Sequence, residues 1–442
     1  MFPSSLLSSI PGSGGIACQF TSGACSFHSW GTPGTSPHES VSPQTPFPIA
    51  SITKPFTAHL LLELLHEHGI PLETPLHALL AGFVLADPVA TREMTLEDAL
   101  CHFSGLPPHT WAWVYSDVDR HTFIRERLPY LSAAAPHRAA HRYSNILYAV
   151  LGQVIETLSG SPWEEELARR ILMPLAMRDT GCLTESWSTT VPIPARPHSE
   201  HGEPLPPFFA KTRHLIAPAS EMISTAADLA CWGQHLLHLP PDCDRWRVRN
   251  PIPGPRPFPG MGSVGYALGW RVEHTAGRLR IWHSGQCSGY STLLVLYPEQ
   301  GRGGVYLCNA SGALPSLHAM DLSLHTSLRP DFPRPPAPAA RQPSLRPAPV
   351  GCVPEGHYQH PGYGTLRIRE RGGTTCLAYT SATAVPILQH PVKGLCFRPP
   401  GYSTLIALTA GRHTLELALE ASLAPIRFTR TVTHHASAPE KD

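Results

Sequence analysis

Residues 48–58 read PIASITKPFTA and place Ser51 and Lys54 in the spacing S-x-x-K. The apolar pattern of residues 51–68, SITKPFTAHLLLELLHEH, predicts a largely buried helix that begins at the serine. Residues three apart lie on one face of a helix, so the Ser51 hydroxyl and the Lys54 amine are expected to be neighbours. The stretch therefore predicts a nucleophile and a proton acceptor at the start of a buried helix.

The chemistry of this pair depends on the lysine losing its proton. Burial would lower the pKa of Lys54 and allow its amine to take a proton from the Ser51 hydroxyl. The N-terminal end of the helix would direct backbone N–H groups and a positive dipole toward a developing oxyanion. The other interpretation is an N-capping serine followed by a solvated lysine. Only four of the 34 basic residues are lysines, and arginine cannot easily lose its proton.

A second motif, Tyr143-Ser144-Asn145, stands at the mouth of the clearest predicted helix, residues 144–158. A tyrosine at this place can share protons with a lysine, and an asparagine amide can hold a substrate carbonyl. The other interpretation is that Ser144 or Asn145 caps the helix and that Tyr143 only packs against it.

A third motif, His283-Ser284-Gly285, follows a predicted strand at residues 278–283. A glycine beside a strand lets a ligand backbone approach closely. The histidine can serve as a proton donor or as the partner of a carboxylate. A structural histidine at a strand end is the alternative interpretation.

The order and spacing of the three motifs resemble the family of class C β-lactamases, DD-peptidases, D-aminopeptidases and β-lactamase-fold esterases. The S-x-x-K element, Tyr-x-Asn and the His form of Lys/His-x-Gly all match. The resemblance extends over residues 11–328. Its further landmarks are TLEDAL at 95–100, HFSGLP at 102–107, YSNILYAVLG at 143–152, STAADL at 224–229 and GYALGW at 265–270.

The resemblance implies an α/β fold, in which an antiparallel sheet is flanked by helices, with a small all-β barrel-like domain after it. It implies acyl transfer through an ester on Ser51, followed by hydrolysis of a small amide or ester, such as a peptide with a D-residue. It also assigns Lys54 as the proton partner of Ser51, and Tyr143 as general base and then proton donor to the leaving group. The alternatives are an acyltransferase of the same fold, a β-lactamase and a non-catalytic binding protein.

The resemblance also implies a set of substrate-binding residues. Asn145 would orient the substrate amide, and the backbone N–H groups of Ser51 and Gln286 would form the oxyanion hole. His283 and Gly285 would complete this side of the site. His283 stands where β-lactamases usually carry lysine, and this departure favours peptidase or esterase relatives over β-lactamases.

Periodicity and composition predict the domain organisation. Residues 1–330 are expected to form the hydrolase domain, residues 331–350 a proline-rich linker, residues 351–433 a β-domain and residues 434–442 a tail. Further elements are predicted as two strands within 15–30, strands at 265–274, 290–297 and 303–309, a loop at 241–263, and helices at 225–239 and 313–327.

Composition narrows the partners and the compartment. A net charge of +1 offers no electrostatic argument for nucleic acid or anionic membrane, so a small molecule or peptide is the expected partner. The absence of a signal-peptide pattern, of an 18-residue apolar run and of paired C-x-x-C cysteines favours a cytoplasmic protein with reduced thiols. Neither a metal site nor a cofactor is expected, because zinc spacings and nucleotide-binding loops are missing. The oligomeric state is left open.

Overall fold

The structure of the protein is a computed structural model that describes most of the chain. The described ranges are 14–34, 39–182, 195–205, 215–253, 263–326, 345–379, 384–399 and 404–431. Most of the predicted linker, the predicted tail 434–442 and residues 254–262 of the predicted loop lie outside these ranges.

Helices surround a sheet in the first part of the chain. The helices are α1 Thr53–Glu67, α2 Leu76–Leu79, α3 Pro88–Glu93, α4 Leu96–Leu100, α5 Thr110–Trp113, α6 Arg120–Glu126, α7 Asn145–Ser159, α8 Trp163–Leu167, α9 Ala217–Ser220, α10 Ala226–Leu236 and α11 Leu314–His325. The strands are β1 Gly14–Thr21, β2 Cys25–Gly31, β3 Phe47–Pro48, β4 Gly181–Cys182, β5 Met222–Ser224, β6 Asn250–Pro251, β7 Gly265–Tyr266, β8 Arg271–Thr275, β9 Arg278–Cys287, β10 Tyr290–Tyr297 and β11 Arg302–Cys308.

The main sheet is antiparallel and has the strand order β2-β1-β11-β10-β9-β8-β7-β6. Strand β10 is buried along its whole length, because helices cover both faces of the sheet at its centre. Its bounds confirm the strand predicted at 290–297. A small sheet of order β3-β5-β4 holds Phe47–Pro48, just before the S-x-x-K stretch.

The single strand predicted at 265–274 is wrong, because the chain turns between β7 and β8. Gly269 has a left-handed backbone with φ of 84°, and the Ala267 N–H donates across the turn to the Trp270 carbonyl at 2.8 Å. A Cβ on Gly269 would lie 2.6 Å from the Cβ of Ala58 in α1. The glycine thus permits both the turn and the close contact with the helix.

Helix α1 lies between the sheet and the other helices, and it is buried on most sides. It packs against α7 and α9, and Phe56 stacks on Trp232 of α10 with ring centroids 4.4 Å apart. The predicted helices at 51–68 and 144–158 are confirmed as α1, preceded by a short 3₁₀ turn at Ala50–Ile52, and as α7. Burial on all sides brings Lys54, in the first turn of α1, out of contact with water.

The C-terminal part of the chain forms one ten-stranded antiparallel sheet. Its strands are β12 Arg346–Pro347, β13 Gly356–His360, β14 Gly364–Arg371, β15 Thr374–Tyr379, β16 Val385–Pro386, β17 Leu388–His390, β18 Gly394–Phe397, β19 Ile406–Ala410, β20 Thr414–Leu417 and β21 Ile426–Thr431. The order is β12-β17-β18-β19-β20-β21-β13-β14-β15-β16. Strands β16 and β17 lie toward opposite ends of this order yet are separated by one residue of the chain, so the sheet is nearly closed into a barrel. Strand β12 falls within the predicted linker and pairs with β17.

The C-terminal sheet, which is called the β-domain below, packs on residues 109–131 of the first part of the chain. The Tyr363 hydroxyl lies 2.7 Å from Nδ1 of His109, and the Thr110 N–H donates to Oε1 of Glu420 at 3.0 Å. The rings of Tyr115 and Tyr379 lie 4.9 Å apart across the same junction. This contact surface therefore contains titratable groups as well as aromatic rings.

We expect Glu420→Gln to stabilise the protein at alkaline pH. Burial raises the pKa of Glu420 from 4.5 to about 7, so the folded protein favours the neutral carboxyl. The stability that this preference provides is complete below pH 4.5 and is lost as the pH rises through 7. In urea unfolding, the gain of Glu420→Gln over wild type should be near zero at acid pH and reach at most about 3 kcal/mol at pH 8.

The control for this prediction is Glu416→Gln, which removes a carboxylate paired with Arg427 on the surface of the same domain. It should show no such pH-dependent gain. A gain for Glu420→Gln that is the same at pH 5 and pH 8 would contradict the assignment of the effect to ionisation.

Candidate active site

Ser51 lies in the 3₁₀ turn Ala50–Ile52, directly before α1. Ala50 has a left-handed backbone with φ of 46°, a conformation that is strained for a residue with a side chain. The Thr53 hydroxyl holds the turn by donating to the Ala50 carbonyl at 2.7 Å. Ala50 and Ile52 are buried, whereas Ser51 is half-buried. The turn thus presents the serine hydroxyl to the space above the helix.

Lys54 is fully buried, and its Nζ contacts three oxygens. They are Ser51 Oγ at 3.1 Å, Asn145 Oδ1 at 2.6 Å and the Ala219 carbonyl at 2.9 Å. Burial, with a smaller contribution from the charge of Arg271, holds the pKa of Lys54 well below 10.5. A neutral amine has two N–H donors and one lone pair. Because the amide and carbonyl oxygens can only accept, the lone pair is left for the Ser51 O–H.

Tyr143 immediately precedes Ser144, the N-cap of α7, and reaches the same pair of residues. The Lys54 Nζ lies 4.7 Å from the centre of its ring. Burial raises the pKa of Tyr143 to about 12, although a hydrogen bond with Ser51 and the charge of Arg271 oppose the rise. The phenol therefore keeps its proton at neutral pH and is suited to donate it.

Asn145 is the first residue of α7, and its Oδ1 accepts the short hydrogen bond from Lys54. This bond sets the orientation of the amide and leaves Nδ2 as its donor end. Ser144 occupies the N-cap position, but its side chain makes no capping hydrogen bond. The motif therefore brings Asn145 to the lysine instead of capping the helix through Ser144.

His283 of β9 is buried beside Tyr143, with ring centroids 6.5 Å apart. Its Nδ1 donates to the Ser284 carbonyl at 2.8 Å, and its Nε2 accepts from the Tyr266 hydroxyl at 2.9 Å. Burial, with a smaller contribution from the charge of Arg271, holds its pKa well below 6.5. The ring is neutral, and both of its nitrogens bond within the protein.

Gly285 lets strand β9 approach the turn that carries Ser51. A Cβ at this position would collide with the Ile49 carbonyl oxygen and with the Thr292 hydroxyl. That hydroxyl donates to the Ile49 carbonyl at 3.1 Å. The backbone group that Gly285 allows to approach is thus the Ile49 carbonyl of this chain. Gln286 follows it on β9, opposite Ser291, with an exposed side chain.

Arg271 of β8 is a residue of the site that the sequence did not single out. Its guanidinium carbon lies 5.2 Å from the ring centre of Trp282 and 5.9 Å from those of Tyr143 and Tyr266. Among the described residues no carboxylate pairs with Arg271, and its buried Nε has no hydrogen-bond partner. Arginine is common in this chain, so no sequence signal distinguished this one.

The antiparallel sheet, the buried helix and the Ser–Lys–Tyr cluster define the class of penicillin-binding and β-lactamase-type proteins. The family described as beta-lactamase matches residues 17–328. The chain belongs to the β-lactamase family, a family of serine hydrolases. The match includes Ser51, Lys54, Tyr143 and His283 and ends before the β-domain.

The individual relatives named below share 30% sequence identity or less with this chain. The chain is 30% identical over 315 residues to an unguisins hydrolase of Aspergillus campestris, covering 65% of this chain and 58% of that protein. Among solved structures, the octameric penicillin-binding protein homologue from Pyrococcus abyssi has a TM-score of 0.61 at 21% identity, covering 95% of this chain and 96% of that one. A D-stereospecific amidohydrolase from Streptomyces has a TM-score of 0.53 at 24% identity, covering 70% and 92%. This chain spans 58% of the length of that Aspergillus campestris hydrolase and 53% of the length of an unguisins hydrolase of Aspergillus violaceofuscus.

Two further properties concern the part of the chain that the structure describes. No helix there combines the length and the apolar composition needed to cross a membrane. All 11 cysteines are free, six of them buried and three exposed.

Proposed function

We propose that this chain is a serine hydrolase that forms an ester on Ser51 with the acyl part of a small amide or ester and then transfers it to water. The observation that carries the proposal is the 3.1 Å contact between Ser51 Oγ and the fully buried Lys54 amine, whose pKa burial lowers well below 10.5. A neutral amine is a base, whereas an ammonium ion at the same place would only donate.

In acylation, the Ser51 proton passes to Lys54 Nζ while Oγ attacks the substrate carbonyl carbon. The N–H groups of Ser51 and Gln286 stabilise the oxyanion. The leaving amine or alkoxide takes a proton from the Tyr143 phenol, and the Lys54 ammonium returns one to Tyr143. The raised pKa of Tyr143 favours this donor role over the alternative in which tyrosinate is the general base.

In deacylation, a water molecule attacks the ester and its proton passes to neutral Lys54. The carbonyl–Oγ bond breaks, and Ser51 recovers its proton from the Lys54 ammonium. Each turnover therefore consumes one water and releases an acid together with an amine or alcohol. Because Asn145 Oδ1 is held by Lys54, Nδ2 is the end of the amide that can donate to the substrate amide carbonyl.

Arg271 favours a substrate with a free carboxylate. Its guanidinium is the cation of the site without a carboxylate partner among the described residues. Three aromatic rings surround it, and such a cation binds an anion strongly when water is displaced. The name of the Aspergillus relative, unguisins hydrolase, supports hydrolysis as the reaction class. A short peptide with a D-residue and a free C-terminus meets both conditions.

We expect Arg271→Gln to lower kcat/KM for a D-alanyl dipeptide with a free carboxylate by about 10- to 100-fold, because a charge-assisted hydrogen bond is lost. Turnover of the same dipeptide as its C-terminal amide should change much less. Arg278→Gln, at the other end of the β8–β9 hairpin, is the control and should leave both values unchanged. An equal loss for the acid and the amide would assign Arg271 to the electrostatics of Lys54 instead of to substrate binding.

The neutral state of His283 predicts a poor β-lactamase. A lysine at this position would be cationic near pH 7 and would hold a β-lactam carboxylate, whereas the buried ring of His283 stays neutral well below pH 6.5. We expect kcat/KM for a p-nitrophenyl ester and for D-alanine amide to exceed that for nitrocefin by about tenfold or more. His283→Lys should reduce this margin. Wild-type turnover of nitrocefin far above both other substrates would contradict the prediction.

The proposal as a whole is tested by a fluorophosphonate or labelled-penicillin probe, followed by a screen of p-nitrophenyl esters and D-amino-acid amides. Labelling at Ser51 with turnover of one of these substrates supports it. Product analysis with an added alcohol or amine separates hydrolysis from acyl transfer. Absence of any labelling would favour a binding protein that retains the fold.

A further inference from the structure

His102 begins the HFSGLP stretch, residues 102–107, to which the proposed reaction assigns no part. It is fully buried and has a left-handed backbone with φ of 58°. The surrounding structure holds it there, since its carbonyl accepts the Arg142 N–H at 2.9 Å and lies 3.4 Å from Asn250 Nδ2. A histidine kept in a strained conformation inside the protein calls for a reason beyond packing.

The ring of His102 contacts the segment that carries the second motif in two ways. Its Nδ1 accepts the backbone N–H of Ser144 at 3.3 Å. Its ring centroid lies 4.4 Å from that of Tyr143. Ser144 is the residue between Tyr143 and Asn145, so one side chain holds the backbone between these two side chains and packs against one of them.

The state of Nε2, the other ring nitrogen of His102, shows that packing alone does not explain a histidine at this position. With Nδ1 accepting, the ring proton is on Nε2, and this buried N–H has no acceptor among the residues that the structure describes. An unsatisfied buried donor is destabilising. A phenylalanine would fill the space between Tyr143, Tyr148 and Tyr266 without it. The group that histidine supplies and phenylalanine lacks is the acceptor for the Ser144 N–H.

We infer that His102 is a positioning residue, which places the Tyr143 phenol and the Asn145 amide relative to Ser51 and Lys54; this role rests on the proposed function. A protonated ring would turn an N–H toward the Ser144 N–H and break the contact. Burial, with a smaller contribution from the charge of Arg271, lowers the pKa of His102 and keeps Nδ1 an acceptor.

Three variants separate the acceptor from the ring. His102→Phe keeps a ring but has no acceptor, and His102→Ala has neither. His102→Asn keeps an acceptor oxygen close to Cβ, loses the ring, and tolerates a left-handed backbone. The readouts are the rate of fluorophosphonate labelling, and kcat and KM for a p-nitrophenyl ester, in the full-length protein.

We expect kcat to fall about 100-fold in His102→Phe and His102→Ala, because a misplacement of about 1 Å can cost this much. His102→Asn should lose about tenfold, since it restores the acceptor. KM should change by less than about threefold in all three variants, because ground-state binding is retained. If His102→Phe does not fold, His102→Ala still removes the acceptor, and wild-type kcat in that variant would overturn the inference.

The matched control is His109→Asn. His109 is also buried and left-handed, with φ of 43°, but its ring contacts Tyr363 and the Ser132 carbonyl. This variant should keep the wild-type labelling rate. A loss equal to that of His102→Asn would show that any strained histidine in this segment has the same effect, and would overturn the inference.

A double-mutant cycle tests the route of action. If His102 acts through Tyr143, His102→Phe should slow labelling much less in a Tyr143→Phe background than in wild type. Fully additive losses would overturn the inference. Labelling of wild type at Ser51 with no effect of His102→Phe would reject the role of His102 alone. Absence of labelling in wild type would reject the proposed function, and the positioning role with it.

Discussion

Ser51→Ala is expected to abolish labelling by a fluorophosphonate and to lower kcat/KM for a p-nitrophenyl ester by on the order of 10⁴- to 10⁶-fold. The reason is that Ser51 Oγ lies 3.1 Å from Lys54 Nζ, the group that takes its proton in the proposed reaction. The strained Ala50 turn and Gly285 position this hydroxyl through backbone contacts, which the substitution leaves in place. The variant should therefore unfold at nearly the wild-type temperature.

Ser144→Ala is the matched control for Ser51→Ala. The Ser144 hydroxyl is buried without a hydrogen-bond partner among the described residues, and the backbone N–H that His102 binds is retained. Labelling should proceed as in wild type. Mass-spectrometric mapping of the adduct to a serine other than Ser51 would overturn the assignment of the nucleophile.

Lys54→Arg is expected to be nearly as damaging as Lys54→Ala, with kcat reduced by about 10²- to 10⁴-fold in both. The proposed reaction needs a side chain that is neutral before acylation and cationic after it. Burial keeps the pKa of Lys54 well below 10.5, whereas a guanidinium retains its charge at any accessible pH. The pocket also closes around the amine, because Asn145 Oδ1 and the Ala219 carbonyl are both within 2.9 Å of Nζ.

The pH dependence of acylation provides the second check on Lys54. Because the amine must be neutral, the labelling rate of wild type should rise with pH through the lowered pKa and then level off below pH 10.5. The rate for Lys54→Ala should lack this rise. A Lys54→Arg variant with more than about one tenth of wild-type activity would show that the residue acts as a charge and not as a base.

The same site shows how far a local pattern reaches. The apolar spacing of residues 51–68 predicts α1, and the helical spacing then predicts the contact between Ser51 and Lys54. The contact is observed because both residues belong to one stretch of chain. Likewise, residues 290–297, YSTLLVLY, are rich in aromatic, β-branched and leucine side chains, and this local composition predicts β10 to the residue.

Patterns failed where a distant part of the chain decided the outcome. The strand predicted at 265–274 is interrupted because Gly269 must turn against Ala58 of α1. Gly285 also admits the Ile49 carbonyl of the turn that carries Ser51, a contact that no local pattern predicted. Neither close contact can be predicted from residues nearby in the sequence, because each forms only when the helix and the sheet pack together.

The sequence by itself determined which residue types stand in the three motifs, the helices at the first two, and the family to which they belong. The third motif was predicted to follow a strand, but it lies inside β9. Only the tertiary structure decided the chemical state of the motif residues. The two oxygens that complete the lysine site belong to residues 91 and 165 positions away along the chain. Burial keeps His283 neutral and Tyr143 protonated and lowers the pKa of Lys54, and the charge of Arg271 adds to the lowering at His283 and Lys54. Burial and long-range Coulomb interactions are properties of the packed chain, and residue spacing does not encode them locally.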